Sequence, residues 1–311
     1  MKVEDIKNIG IVGAGTMGHG IALSFSLGGY RVFLQDLKDD ILNGAIEKIR
    51  KALDTFIDAD IITREESEQS LQRINTTTNL EMLCEKSDYV CECIVEDSSQ
   101  KRELFKRLDL FCPPHTILAS NTSSLVLSDF GRDVKRQEKI IVTHYFNPPH
   151  IVPTVEVVKG PNTSEETFDI AYGLLIKTKK LPVKVQKEIP GYLVNRIQFA
   201  MFREVLYLLY NGVASPEDID RAVKGSFGFR LASIGPLMTL DLSGIPKWKE
   251  VAVNMFENAY KFICSDTELP KEAKEQFLQG RGFFHYSEEE WAKIIEKRDK
   301  EFLQRLKMLY W

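Results

Sequence analysis

Lys7-Asn8-Ile9-Gly10-Ile11-Val12-Gly13-Ala14-Gly15-Thr16-Met17-Gly18 is the stretch that decides the fold of this chain. Ile9, Ile11 and Val12 make the short apolar run of a buried parallel strand. The glycines at 13, 15 and 18 keep the G-x-G-x-x-G spacing. In that spacing the first permits a tight turn, the second close backbone approach to a pyrophosphate, and the third close packing of helix on strand. A helix opening near Thr16 and Met17 turns its amide-rich end toward the phosphates. Ile21, Ala22 and Phe25 form the apolar face of that helix, and Tyr30–Asp36 reads as a second strand. Asp36, at the end of it, is placed to bind the adenine ribose hydroxyls. Its charge repels a 2′-phosphate and Leu37 supplies no cation, so the expected cofactor is NAD.

At 311 residues the chain has room for two domains with separate cores. Lys+Arg 41 against Asp+Glu 45 gives a net charge of -4, with no basic patch for nucleic acid. No apolar run is long enough for a bilayer, and Met1-Lys2-Val3-Glu4-Asp5 is no signal peptide, so a soluble cytoplasmic protein is expected. The five cysteines (84, 91, 93, 112 and 264) show no metal-ligand pairing. Cys91 and Cys93 alternate along one strand, where buried thiols serve as small hydrophobes, with a redox pair as the less favoured reading.

After Asp36, Ile41, Ala45, Ile49, Ala52, Leu53 and Phe56 keep helical spacing. Thr63-Arg64-Glu65-Glu66 is a capping box that opens a second helix, expected through Leu71 and Ile74. The two make a hairpin inserted into the βαβ pattern. Strands are then expected at Tyr89–Val95, Thr116–Ala119, Ile140–His144, Val152–Val158 and Pro182–Val185, with helices at Lys101–Leu110 and Phe168–Thr178. This alternation is that of an open, doubly wound α/β sheet. From Pro190-Gly191 onward the pattern is helical, beginning with a long helix over Tyr192–Tyr210. Ser215-Pro216-Glu217-Asp218 supplies an N-cap, a proline at the first position and acids in the first turn. Phe227–Pro236 reads as a Gly/Pro-rich break. The expected division is a Rossmann-like domain over residues 1–188 and an all-α domain over 189–311.

Polar clusters stand where strands or helices end, which is where open α/β sheets place their sites. They are Ser120–Ser124, Thr143–Pro149, Glu156, and Asn195 within Leu193-Val194-Asn195-Arg196. His144 is the histidine at a strand end, and by itself is as often structural as catalytic. Glu156 sits between valines and needs a buried partner. A His–Glu pair answers both needs, since the carboxylate fixes the imidazole tautomer and stabilises its charged form.

The Gly13–Gly18 turn, Val95-Glu96, Ser120–Ser124, His144–Pro148, Glu156 and Gly191–Asn195 together resemble the L-3-hydroxyacyl-CoA dehydrogenase family over essentially the whole chain. The resemblance implies that His144 is the general base for a 3-hydroxyl and that Glu156 orients it. It implies that Ser123 and Asn195 hold the reacting oxygen, and that Glu96, Lys101 and Asn147 contact the nicotinamide half of NAD. It also implies a homodimer through the C-terminal domain, and a place in fatty acid metabolism. Lys101 as a solvated helix lysine is the bland alternative.

Departures from the family bear on the substrate. Coenzyme-A-using members carry a serine and lysines on the helix hairpin for the nucleotide end of CoA; the matching positions here are Ala52 and Ala59, in a turn reading Asp58-Ala59-Asp60. Asn147–Pro153, Val185–Glu188 and Phe227–Pro236 are similar to the lambda-crystallin / L-gulonate 3-dehydrogenase branch and to L-carnitine 3-dehydrogenase, which oxidise free carboxylic acids. Arg230 is then a candidate carboxylate clamp, with an ordinary ion pair as its alternative. A short-chain 3-hydroxyacyl-CoA dehydrogenase is the competing activity. A hydrolase built on Ser123, His144 and Glu156 lacks the G-x-S-x-G elbow. A non-catalytic, crystallin-like NAD-binding protein is the third reading. No metal site is expected.

Overall fold

In the computed structural model the first strand, β1 (Asn8–Val12), occupies the centre of an eight-stranded sheet of order β3-β2-β1-β4-β5-β6-β7-β8. The structure describes residues 1–310 except 232, 243–248, 267, 269, 280–282 and 285. The other strands are β2 (Arg31–Gln35), β3 (Ile74–Thr77), β4 (Tyr89–Glu92), β5 (Ile117–Ser120), β6 (Ile140–Tyr145), β7 (Thr154–Val158) and β8 (Leu181–Val185). Neighbours pair in parallel except β6 with β7. The link from Tyr145 to Thr154 holds no crossover helix, so β7 must run back beside β6. That reversal puts His144 directly opposite Glu156.

Helices cover both faces, as a sheet of buried, mostly apolar strands requires. On one face lie α1 (Gly18–Leu27), α2 (Asp39–Asp58) and α7 (Glu165–Lys177), packed over Ile9, Ile11, Val32 and Leu34. On the other lie α4 (Leu80–Lys86), α5 (Ser98–Phe111) and α6 (Leu127–Phe130), over Val12, Val90, Leu118 and Val142. The doubly wound α/β architecture expected from the alternation is the one observed.

Local signals account for the element ends. Helix α3 (Arg64–Gln72) opens on the capping box: Thr63 Oγ1 accepts from the Glu66 N–H at 3.2 Å, and Glu66 accepts from the Thr63 N–H at 2.7 Å. It stops at Gln72, and Ile74 belongs to β3, an edge strand that the apolar pattern missed. Asn75-Thr76-Thr77 carries no apolar alternation, because an edge strand of this kind is held by backbone pairing to β2. Helix α4, capped by Asn79, was likewise missed. Helix α1 begins at Gly18, two residues beyond the Thr16 start expected, after a turn over Gly15–Met17.

The chain divides into two compact units, Met1–Asn195 with Trp291–Trp311, and Arg196–Glu290. The second unit holds most of α8 (Val194–Tyr210), then α9 (Pro216–Gly225), α10 (Phe227–Leu231), α11 (Pro236–Leu242), α12 (Lys249–Phe262) and α13 (Lys271–Leu278). Ser215 caps α9 as expected, its Oγ accepting from the Asp218 N–H at 3.1 Å. Within the expected break at 227–236, α10 adds a short helix; Ala232 lies outside the described residues. Among the described residues of the second unit only Cys264 and Ala273 are buried. The last helix, α14 (Glu288–Tyr310), largely belongs to the first unit, where Leu303 and Leu306 join Phe56 and Ile151 in a separate apolar cluster. The side chains of Leu309 and Tyr310 lie outside the described residues.

Two glycines test this packing. A Cβ on Gly18 stands 1.7 Å from the Gly13 carbonyl oxygen, whereas a Cβ on Gly44, within α2, meets nothing within 4 Å. Gly18→Ala is expected to lower the melting temperature and abolish NADH binding. Gly44→Ala is expected to gain about 0.5–1 kcal/mol in urea unfolding, since alanine loses less backbone entropy in a helix.

Candidate active site

The dinucleotide turn sits where β1 ends. Gly13 has φ +98°, a left-handed conformation that glycine adopts without a side-chain clash, and its N–H donates to the Gln35 carbonyl at 2.8 Å. A Cβ there would lie 2.8 Å from the Cys93 carbonyl oxygen. Gly15 faces open space, with nothing within 4 Å of a Cβ position, which leaves backbone for a phosphate to approach. Asp36 closes β2 with one carboxylate oxygen accepting the Ala14 N–H and the other the Leu37 N–H, both at 2.7 Å. A cleft of about 710 Å³ opens in front of these groups, between Gly13, Gly15 and Asp36 on one side and Cys93, Val95 and Arg107 on another. Its size suits a nucleoside. The residues present therefore fit a dinucleotide: glycines that admit the phosphates, and an acid at the end of β2.

His144 and Glu156 meet across β6 and β7. His144 Nδ1 lies 2.7 Å from Glu156 Oε2, with the two side chains 5% and 0% exposed. The other oxygen, Glu156 Oε1, accepts the N–H groups of Leu193 at 2.9 Å and Val194 at 2.8 Å. These are orphan donors at the start of α8, and a carboxylate there is favoured by the helix dipole as well. With Nδ1–H donated to a carboxylate, Nε2 is left as the basic nitrogen; this tautomer is assigned from the partner. Phe146 and Tyr192 flank the ring, with centroids 4.5 Å and 5.7 Å away. Tyr192 is buried, donates its hydroxyl to the Leu125 carbonyl, and has that hydroxyl's pKa raised by burial.

A second network lies at the ends of β4 and β5. Glu92, 0% exposed, accepts from Lys101 Nζ at 2.6 Å, the Ile94 N–H at 2.8 Å and Ser120 Oγ at 2.6 Å. Burial raises its pKa, and the Lys101 ammonium partly offsets this. Lys101 is 1% exposed, so it is a buried helix lysine; its Nζ also stands 3.3 Å from Glu96 Oε2. Glu96 Oε1 collects the Thr122 hydroxyl at 2.6 Å and the N–H groups of Ser123 at 2.9 Å and Ser124 at 3.0 Å. Partial burial pushes the Glu96 carboxyl up, but the Thr122 hydroxyl, the Lys101 charge and the loop N–H groups outweigh it and hold it at about 2.

The structure thus brings Ser123 against Glu96, its hydroxyl 3.3 Å from Oε1, and against Asn195, whose Nδ2 donates to the Ser123 carbonyl at 3.0 Å. The neighbouring Asn121 side chain accepts the Tyr145 N–H at 2.8 Å, which ties this loop to the strand carrying His144. Asn147 is exposed just beyond β6. Arg230 stands exposed on α10 of the second unit. Sequence reading missed Glu92 as the hub of the Lys101 pair. Its signal was a lone acid inside an apolar strand, the same signal that pointed to Glu156.

Comparisons with known proteins identify the family. Residues 8–189 match the family model of the 3-hydroxyacyl-CoA dehydrogenase NAD-binding domain, and residues 191–283 match that of its C-terminal domain. The chain belongs to the 3-hydroxyacyl-CoA dehydrogenase family. It is an NAD-dependent oxidoreductase. Relatives include lambda-crystallin of Oryctolagus cuniculus, 36% identical over 234 residues (75% of this chain, 73% of that one). The 5-formyl-3-hydroxy-2-methylpyridine 4-carboxylate 5-dehydrogenase of Mesorhizobium japonicum is 31% identical over 306 residues, 96% of each chain. A solved structure of a dehydrogenase of that name, described as an NAD+-dependent dismutase, has TM-score 0.88 at 28% identity and covers 98% of both chains. The (S)-3-hydroxybutyryl-CoA dehydrogenase of Ralstonia eutropha has TM-score 0.73 at 30% identity and covers 91% of this chain and 100% of its own. Helix α14 lies beyond both family models.

The buried ion pair yields a test that needs no substrate. Glu92→Gln leaves the Lys101 ammonium without its buried counter-ion and is expected to cost about 3 kcal/mol in urea unfolding. Adding Lys101→Met should recover most of the loss, because the pair then goes together. A single mutant as stable as the parent would show that Glu92 carries no charge in the fold.

Proposed function

We propose that this chain oxidises the 3-hydroxyl of a free 3-hydroxy carboxylate to the ketone, with His144 as general base. The observation that carries the reading is the buried His144–Glu156 pair, 2.7 Å apart, with Nε2 left as a proton acceptor. Glu156 stays acceptor-only between the imidazole and the start of α8, so it holds one tautomer and stabilises the imidazolium formed on proton uptake. Ser123 and Asn195 are assigned to hold the reacting oxygen. NAD, when bound, supplies the hydride acceptor. Gly13, Gly15, Thr16, Met17, Gly18 and Asp36 are assigned to its adenosine and pyrophosphate half. Glu96 and Asn147 are assigned to the nicotinamide half, with Lys101 anchoring Glu96 from inside the fold.

Three observations favour a free carboxylate. The hairpin turn carries Asp58 and Asp60, whose charges oppose the phosphates of CoA. Phe302, Leu303 and Leu306 of α14 pack with Phe56 and partly buried Ala59, Ile61 and Ile62 at that turn, which dresses the hairpin in apolar side chains. The likeness to the pyridine-carboxylate dehydrogenase extends over 98% of this chain, whereas the likeness to the 3-hydroxybutyryl-CoA enzyme stops at 91%. The 30% identity to that second enzyme supports a short-chain 3-hydroxyacyl-CoA as the alternative substrate. Arg230 is assigned to the substrate carboxylate, where a guanidinium gives a bidentate grip. The second unit, with so few buried side chains of its own, is assigned to a homodimer interface; sedimentation of the full chain at 35.6 kDa would count against that. Five free thiols suit the reducing cytoplasm.

His144→Gln is expected to bind NADH as the parent does and to lose about 100-fold or more in turnover. Full turnover by the variant would remove His144 from the mechanism. NADH formation should be followed with free 3-hydroxybutyrate, L-gulonate, L-carnitine and 3-hydroxybutyryl-CoA, and a free acid should give the highest kcat/KM. Arg230→Met should raise KM for that acid by about tenfold, the worth of a charge-assisted hydrogen bond. A preference for the CoA ester, or an unchanged KM in the variant, would overturn the carboxylate reading.

A further inference from the structure

Lys180 is a buried lysine that the reaction does not use. It is 7% exposed, at the turn between α7 and β8, and its Nζ donates to the carbonyls of Pro149 at 2.6 Å and Val152 at 3.1 Å. Among the described residues no carboxylate pairs with it, whereas Lys101, the other deeply buried lysine of this unit, has Glu92. An ammonium taken out of water ordinarily has a counter-charge.

Lys180 lines a cavity of about 360 Å³ within the first unit. Lys179, Arg73 and Lys177, the last ion-paired with Glu4 at 2.7 Å, line it as well, and Glu66 is the one carboxylate on the wall, held by its own capping box. The rest is chiefly apolar: Phe56, Ile61 and Ile62 of the hairpin region, Ile151, and Leu306 of α14. His150 completes the wall, with its buried Nδ1 lacking any hydrogen-bond partner. None of Gly13, Asp36, Ser123, His144, Glu156 or Asn195 lines this cavity. A concave, low-dielectric wall with an excess of one sign concentrates the field on an ion of the other. One charged end and an apolar body describe the complementary molecule.

We propose that this cavity binds an amphipathic organic carboxylate, its carboxylate on Lys180 and its apolar body against Phe56, Ile61, Ile62 and Leu306. Pro149 and Val152, whose carbonyls Lys180 holds, belong to the link between His144 and Glu156, so the occupant contacts the same segment that positions the catalytic pair. Burial lowers Lys180 to about 7, so carboxylate binding above that pH is coupled to proton uptake by the amine. The charged and titratable groups that line the cavity with Lys180 are Lys177, ion-paired with Glu4, and Lys179 of its own turn, Arg73 and Glu66 of α3 and its exit, and His150; His19 on α1 and Arg298 on α14 act on His150. Burial, with smaller contributions from His19, Lys180 and Arg298, keeps His150 neutral, its pKa lowered to about 3, so the proton is expected on Lys180.

The test uses the full chain, saturated with NADH, and octanoate as the probe in titration calorimetry. The expected result is one site per chain, with proton uptake approaching one at about pH 8.5 and absent at about pH 6, read from two buffers of different ionisation heat. Octanol should bind about tenfold more weakly than octanoate, as should octanoate to Lys180→Met. Ile62→Trp, which fills the cavity and leaves the Lys180 bonds intact, should abolish binding while NADH affinity stays unchanged. The proposal is overturned by no binding to the parent, by equal affinity for octanol, by retained octanoate affinity in folded Lys180→Met or Ile62→Trp, or by uptake that does not vary with pH.

Discussion

The carboxylate of Glu156 is the constraint on which the site depends. One oxygen takes the imidazole of His144 and the other takes two N–H groups at the start of α8. A fully buried carboxylate survives only if its lone pairs are occupied, and here a strand partner and a helix terminus occupy them. The same bonds therefore fix three things together: the antiparallel register of β6 and β7, the tautomer of His144, and the point at which the long helix leaves the sheet. Asn195, one residue beyond Val194, then reaches the Ser123 loop.

Glu92 does the corresponding work at the ends of β4 and β5. It gathers α5 through Lys101, the end of β4 through Ile94 and the end of β5 through Ser120. Lys101 links it to Glu96, and Glu96 in turn holds the backbone of Ser123 and Ser124. The two buried acids differ in what they hold. Glu156 holds an imidazole opposite it in the sheet, whereas Glu92 holds a lysine ammonium from a covering helix.

Much of this was legible in the chain. The glycine spacing with Asp36 announced the dinucleotide turn, because only glycine meets the φ of residue 13 and the close contact at residue 18. The apolar strands of the sheet interior were legible because burial on both faces demands continuous apolar runs. What escaped was short or peripheral: β3, whose Asn75–Thr77 has no buried face; α4, hidden by its length; and the five-residue α10 inside a stretch rich in glycine and proline. The placement of α14 escaped for another reason. An amphipathic stripe states that a face will be buried but not against what, and here Leu303 and Leu306 lie on the hairpin region of the first unit.

By itself the sequence determined the fold class, the NAD turn and the residue types of the site, since these rest on local backbone geometry and on hydrophobic period. The sequence also paired His144 with Glu156; tertiary structure alone decided that Glu92 serves Lys101 and brought each pair into contact. Glu92 and Glu156 are both single carboxylates in apolar strands, and only the sheet order sets one beside Lys101 and the other opposite His144. It also decided that Lys180 is buried with no carboxylate partner among the described residues, because desolvation and pairing depend on which segments pack around a side chain, and local sequence carries no record of that packing.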